Sequence, residues 1–83
     1  MPQDQERIQL EIMGETFTVK GESGREEILR TGKYLNNQLE DLRIRYPSLN
    51  AKNLAILTAF NLTAELLQIK KDYEALVSIL DKN

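Results

Sequence analysis

Residues 55–80 read AILTAFNLTAELLQIKKDYEALVSIL. Ala55, Ala59, Leu62, Leu66, Ile69, Tyr73, Leu76 and Leu80 stand 4, 3, 4, 3, 4, 3 and 4 residues apart. That 3.5-residue repeat is the apolar seam of a coiled coil, so these positions are the expected self-association residues. In the second half of the stretch Gln68, Lys70, Lys71, Asp72 and Glu74 surround the seam, and only a narrow stripe seeks burial. In the first half, Leu54, Ile56, Leu57, Phe60, Ala64 and Leu67 add a second apolar surface. A helix apolar on nearly every side is covered on nearly every side. The residues preceding it are expected to cover this second surface, and a second chain the seam.

An amide interrupts the apolar run. Thr58, Asn61 and Glu65 form a polar i, i+3, i+7 stripe. One reading makes it a solvated strip between two packing faces. The other makes Asn61, with Glu65, a register-setting contact between subunits, because a buried amide without a partner is costly. In a parallel pair Glu65 at heptad position g would face Lys70 of the partner at e, with the right sign of charge.

Outward from this stretch, Asn50 is a good N-cap, and Leu49 and Leu54 sit where a hydrophobic staple would. No proline or glycine follows Ala51, so the helix is predicted to run to about Leu80, roughly 45 Å at 1.5 Å per residue. Pro47 ends an earlier helix near Tyr46. That helix starts at a capping box of Ser23 and Glu26 and carries the apolar stripe Ile28, Leu35, Leu39, Leu42 and Tyr46. Gly32 beside the stripe permits close packing at a cost in helix stability. Arg30, Lys33, Asn37, Glu40, Asp41, Arg43 and Arg45 form the opposite face.

Before it, Ile8, Leu10 and Ile12 alternate with polar residues, and so does the run from Thr16 to Lys20. Two such runs around Gly14-Glu15 predict a β-hairpin, with Gly14 suited to the first position of a type II′ turn. The expected fold is α+β: a β-hairpin followed by two helices, ββαα, the second long and forming an intersubunit coiled coil. Residues 1–6 are read as a flexible N-terminus, 7–49 as a head, and 50–83 as an oligomerisation helix whose first half also packs on the head. A hairpin and one helix of about 22 residues cannot cover both faces of so long a helix, and monomers rarely expose such a stripe.

Composition excludes much chemistry. The 83 residues include no cysteine and no histidine, which removes thiolate and imidazole metal sites, disulfides and the commonest general base. The four glycines make no phosphate-binding loop. The adjacent carboxylates Glu26-Glu27 and Glu40-Asp41 point about 100° apart on a helix and are read as solvated surface. No enzyme activity, metal or cofactor is expected. Residues 1 to 24 carry two basic and five acidic groups, 25 to 46 five and four, and 47 to 83 four of each. None is a basic footprint for nucleic acid. No apolar run approaches the roughly 18 residues of a membrane span, and the start lacks a signal-peptide pattern. A cytoplasmic protein without membrane insertion is expected.

The hairpin IQLEIMGETFTV, the charged first helix and the second-helix run NAKNLAILTAFNLTAELLQIK together resemble the ZapA family of bacterial cell-division proteins. The family's hydrophobic-Gly pair is matched by Met13-Gly14. Its A-A-L-N-[LI]-x-x-E-L type run is matched by Thr58-Ala59-Phe60-Asn61-Leu62-Thr63-Ala64-Glu65-Leu66. The resemblance covers residues 7 to about 75 and implies a non-enzymatic protein at the midcell division site. Such a protein binds FtsZ, the tubulin-like division GTPase, and crosslinks or bundles its filaments, stabilising the division ring. It also implies a homodimer, often a homotetramer, built through the long helix. Many members carry a longer C-terminal coiled coil than this sequence, which favours the dimer over the tetramer here. With the seam used for self-association, FtsZ contacts are expected on the exposed head, at Arg30, Lys33, Asn37, Arg43 and Arg45, with Glu15 at the hairpin turn contributing. A generic dimeric coiled-coil adaptor for another cytoplasmic partner is the alternative, because fold alone does not determine function.

Overall fold

The structure, a computed structural model, describes residues 6–21 and 24–81. Strands β1 (Glu6–Ile12) and β2 (Glu15–Gly21) form an antiparallel two-stranded sheet, followed by helices α1 (Arg25–Arg45) and α2 (Ala51–Asp81). The strands pair in the register Ile8 with Val19, Leu10 with Phe17 and Ile12 with Glu15, so alternate residues share one face. Ile8 is buried and Leu10 and Ile12 are half-buried on that face, while Arg7, Gln9 and Glu11 lie exposed on the other. The N-terminal five residues assigned to a flexible tail lie outside the described residues, and Glu6 already belongs to β1.

The hairpin turn differs from the expectation. Ile12 pairs with Glu15, so the two-residue loop is Met13-Gly14 rather than Gly14-Glu15. Both loop residues have positive φ, 54° at Met13 and 80° at Gly14, the signature of a type I′ turn instead of type II′. Its twist matches that of the strands, which outweighs the cost of a left-handed methionine.

Gly24 precedes the first turn of α1, and the Ile28 amide donates to its carbonyl at 3.2 Å. Ser23, and with it the proposed capping box, lies outside the described residues. Glu26 and Glu27 in the first turn and Arg43 and Arg45 in the last complement the helix dipole. Ile28, Gly32, Leu39 and Leu42 are buried along α1, while Tyr46 at the end of the stripe stays largely exposed. At Gly32 the hairpin comes close to the helix: a Cβ there would lie 3.0 and 3.2 Å from the two terminal methyls of Leu10. The Asn36 side chain donates to the carbonyl of Glu11 at 2.7 Å, a second tie between hairpin and helix.

α1 stops where Pro47 restricts Tyr46, whose φ is −127° and whose amide donates back to Leu42. Asn50 caps α2 as the sequence predicts, its Oδ1 accepting from the Asn53 amide at 2.8 Å. Leu49 packs against the cluster of Leu39, Leu42 and Leu54, which is the anticipated staple, and Ile12, Leu35 and Leu57 close around it.

β1 and β2 pack on α1, and α1 packs on the first turns of α2. From residue 63 onward α2 is exposed except for a half-buried Val77. The molecule measures 51 × 48 × 16 Å with a radius of gyration of 17.0 Å, against about 12 Å for a compact chain of this length. It is one layer thick.

Two expectations about α2 are corrected here. Of the six residues assigned to the covering head, Leu54 is buried and Leu57 half-buried, but Ile56, Phe60, Ala64 and Leu67 are exposed. The face α1 covers is centred on Leu54, Leu57, Thr58 and Asn61, about a third of the circumference away from Ile56 and Phe60. Thr58, read as part of a solvated strip or a subunit contact, is 2% exposed beneath its own head. Its hydroxyl donates to the Leu54 carbonyl at 2.8 Å, which satisfies the only polar group its side chain buries.

Candidate functional site

Two surfaces remain once the fold is built, one along α2 and one on α1. In heptad terms Ala59, Leu66, Tyr73 and Leu80 occupy a, and Ala55, Leu62, Ile69 and Leu76 occupy d. Leu62 is half-buried against the head, and the other seven are exposed in the protomer. The two flanks of this seam are unlike. On one flank Thr58 at g and Asn61 at c turn under α1, and Glu65 at g is exposed one turn later. The polar stripe therefore spans three environments: buried at Thr58, half-buried at Asn61, open at Glu65. On the other flank Ile56 and Thr63 at e, with Phe60 and Leu67 at b, form an exposed apolar ridge; Phe60 is 71% exposed.

Where the covered flank meets the seam there is an apolar groove of about 440 Å³. Ile12, Met13 and Phe17 of the hairpin form one wall, Leu35 and Leu39 of α1 its back, and Ala55, Ala59 and Leu62 of α2 the other wall. The small side chains of Ala55 and Ala59 leave it open. Glu15 stands at its mouth, beside the hairpin turn.

The second surface is the outer face of α1. Arg30, Lys33 and Asn37 lie on one side of the helix opposite the buried stripe, and an exposed Ile44 continues that side. The three arginines of the charged set are each held by a carboxylate on their own helix. Arg30 contacts Glu27 at 2.8 Å, Arg43 contacts Glu40 at 2.6 Å and Arg45 contacts Asp41 at 2.8 Å. Hydrogen bonding from Arg43 holds the Glu40 carboxyl below its ordinary pKa, and the same contact raises that of Arg43. All these groups are exposed, so each pair contributes little to stability. Lys33 is the cation of the set without an ion pair among the described residues.

The predicted head residues are thus not one cluster. Arg30, Lys33 and Asn37 share a face and Arg45 flanks it. Arg43 sits instead around a cavity with Asn36, Gly14 and Met13 at the hairpin turn. Glu15 lies beside the hairpin turn at the mouth of the groove, apart from Arg30, Lys33 and Asn37 on the outer face of α1. Sequence reasoning passed over Ile44, Met13 and Phe17 as surface residues. An apolar side chain inside the charged outer face was the available signal for Ile44. For Met13 and Phe17 it was their place at the hairpin tip.

No helix among the described residues is long and apolar enough to cross a membrane. The family model for cell division protein ZapA matches residues 8–82. A cell division protein ZapA from Shouchella clausii is 32% identical over 71 residues, spanning 86% of this chain and 91% of the relative. One from Bacillus thuringiensis is 29% identical over 76 residues, spanning 92% and 85%. In three dimensions the chain is similar to a ZapA mutant dimer from Geobacillus stearothermophilus, with a TM-score of 0.78 and 25% identity over 96% of this chain and 93% of that one. The extent of these matches makes the chain a member of the cell division protein ZapA family.

Proposed function

We propose that this protein binds FtsZ and crosslinks or bundles its filaments, stabilising the division ring at midcell in the cytoplasm, as a non-enzymatic accessory factor. Membership of the ZapA family supports the partner. The observation that carries the mechanism is the one-layer protomer with seven exposed seam residues along α2. Among the described residues no element covers Leu66, Ile69, Tyr73, Leu76 and Leu80, and a second α2 covers them with the least rearrangement.

A two-fold pair then presents two identical heads, and each head engages a different filament or subunit. Such bivalency converts modest single-head affinity into bundling. The FtsZ-binding surface is assigned to the outer face of α1, with Lys33 as its most available cation, Arg30 and Asn37 beside it and Arg45 on its flank, while Arg43 contributes from the edge nearer the hairpin turn. Glu15, beside the hairpin turn, contributes through a separate contact. Asn61, half-buried at the edge of the covered face, and Glu65 hold the register of the pair.

The test is co-sedimentation with GTP-assembled FtsZ. Wild-type protein should pellet with filaments, and charge reversal at Lys33 and Arg43 (Lys33→Glu with Arg43→Glu) should abolish pelleting while leaving the solution mass unchanged. Full pelleting of the reversed variant overturns the assignment of the face, and absence of pelleting by the wild type overturns the partner.

A further inference from the structure

We infer that the open edge of β2 takes up an extended, acidic segment of a partner protein as a third strand of the sheet. The inference is independent of the FtsZ contact proposed above for α1. Three features of the hairpin carry it.

The first is unpaired backbone. The Asn36 side chain donates to the Glu11 carbonyl at 2.7 Å, so that carbonyl points away from β2 and toward α1. Opposite residues of an antiparallel pair alternate between exchanging hydrogen bonds and turning their backbone groups outward. Glu11 with Thr16, Gln9 with Thr18 and Arg7 with Lys20 are therefore the outward-turned pairs. On the β1 side this edge meets α1, which packs more on β1 than on β2. On the β2 side Thr16, Thr18 and Lys20 are exposed, and their outward N–H and C=O groups have no hydrogen-bond partner among the described residues. β2 is seven residues long, with no proline and no bulge to blunt it. Such an edge is a template for another strand.

The second is charge. Arg7 and Lys20 stand directly opposite each other on the outer face, both exposed and neither in an ion pair among the described residues. Like charges at that spacing weaken a hairpin. A carboxylate on a third strand would lie about 5 Å from Lys20 and about 10 Å from Arg7, one and two strand spacings away, and would offset their repulsion. The pair therefore selects an acidic segment over a basic one. The third is a socket. A cavity of about 210 Å³ lined by Leu10, Val19, Glu27, Ile28 and Thr31 opens between the hairpin and the first turns of α1. Val19 lies on the inner face of β2, so the inward residue of an added strand stands beside it. An apolar side chain there fills the cavity, while the segment's acidic residues alternate onto the outer face. The chemistry recognised is an alternation of apolar and acidic residues.

The test uses the whole chain and, as probe, an acetylated and amidated heptapeptide of alternating valine and aspartate. By heteronuclear NMR the probe should shift the Thr16, Thr18 and Lys20 amides and slow their hydrogen exchange. A counterpart with lysine for aspartate should bind about tenfold more weakly. Arg7→Glu separates recognition from folding. It gives Lys20 an attractive partner, so the melting temperature should rise while affinity for the aspartate peptide falls about tenfold. Thr18→Pro removes one outward N–H at a position where an edge strand tolerates proline, and it should abolish binding at unchanged helix content. Should Thr18→Pro lose helix content, Arg7→Glu alone decides. Absence of binding at millimolar probe, equal affinity for the two peptides, or affinity unchanged by Arg7→Glu each overturns the inference. Protection of the same three amides in the protein alone, growing with its concentration, would mean that a second copy's strand fills the edge, and overturns it as well.

Discussion

Truncating one seam residue should weaken self-association by an amount set by how much of it the protomer leaves uncovered. Leu66 is 54% exposed in the protomer. Fully burying a leucine side chain is worth about 2 kcal/mol, so covering the remaining half is worth about 1 kcal/mol per copy. A two-fold interface contains the residue twice, which brings Leu66→Ala to about 2 kcal/mol per dimer before any cavity is counted. At 1.4 kcal/mol per factor of ten, the dimer dissociation constant should rise about thirtyfold. Sedimentation equilibrium over a wide range of protein concentration measures it. Lys71→Ala, exposed and outside the seam at heptad position f, is the matched control and should leave the constant unchanged. A Leu66→Ala constant within threefold of wild type would refute the seam, because the side chain would then stay as exposed in the assembly as in the protomer.

Gly32→Ala sets a helix-propensity gain of about 1 kcal/mol against overlap with Leu10. It should be neutral or destabilising in urea denaturation, yet stabilising by about 0.5–1 kcal/mol when Leu10→Ala has removed the two methyls. Equal effects in both backgrounds would mean that the close approach does not constrain position 32. Thr58→Val exchanges a hydrogen bond worth about 1 kcal/mol for a buried methyl of about 0.8 kcal/mol and should shift stability by under about 1 kcal/mol. Thr58→Asp should cost more than about 2 kcal/mol by burying a charge; similar small effects for both would return Thr58 to solvent. The Glu40 carboxyl should titrate below its ordinary value by NMR, and Arg43→Gln should bring it back up. Because the folded pKa is the lower one, whatever this contact adds to stability is present above the ordinary glutamate pKa and lost as pH falls through the lowered one.

The order ββαα was readable because each element carries its own local signal. The strands alternate with period two, Asn50 caps α2, Pro47 ends α1, and no breaker follows Ala51. The turn was less legible. Gly14 announces positive φ, but the type depends on which neighbour shares the loop, and strand register, set by Ile8, Leu10 and Ile12 against α1, placed Met13 there. The faces of α2 were harder still. Hydrophobicity marks Ile56, Leu57, Phe60 and Leu67 alike, and says nothing about which of them α1 can reach. α1 meets α2 only near their connection, so it takes Leu54, Leu57 and Thr58 and leaves Phe60 open. Thr58 looked like a polar interruption because its hydroxyl is polar in the sequence. In the helix that hydroxyl folds back on the Leu54 carbonyl and the methyl packs. The charged face of α1 was visible as a stripe, but not that its arginines would each pair with a carboxylate three or four residues earlier, leaving Lys33.

The proposed function requires a two-headed particle that joins FtsZ filaments through its heads. FtsZ assembled with GTP, mixed with wild-type protein or with the seam variant Leu66→Asp, and viewed by negative-stain electron microscopy beside a pelleting assay, tests it most directly. Bundles are expected with the wild type, and single filaments carrying bound protein with a Leu66→Asp variant that light scattering shows to be monomeric. Bundling by that monomer equal to wild type, or single filaments only with the wild-type protein, would contradict it.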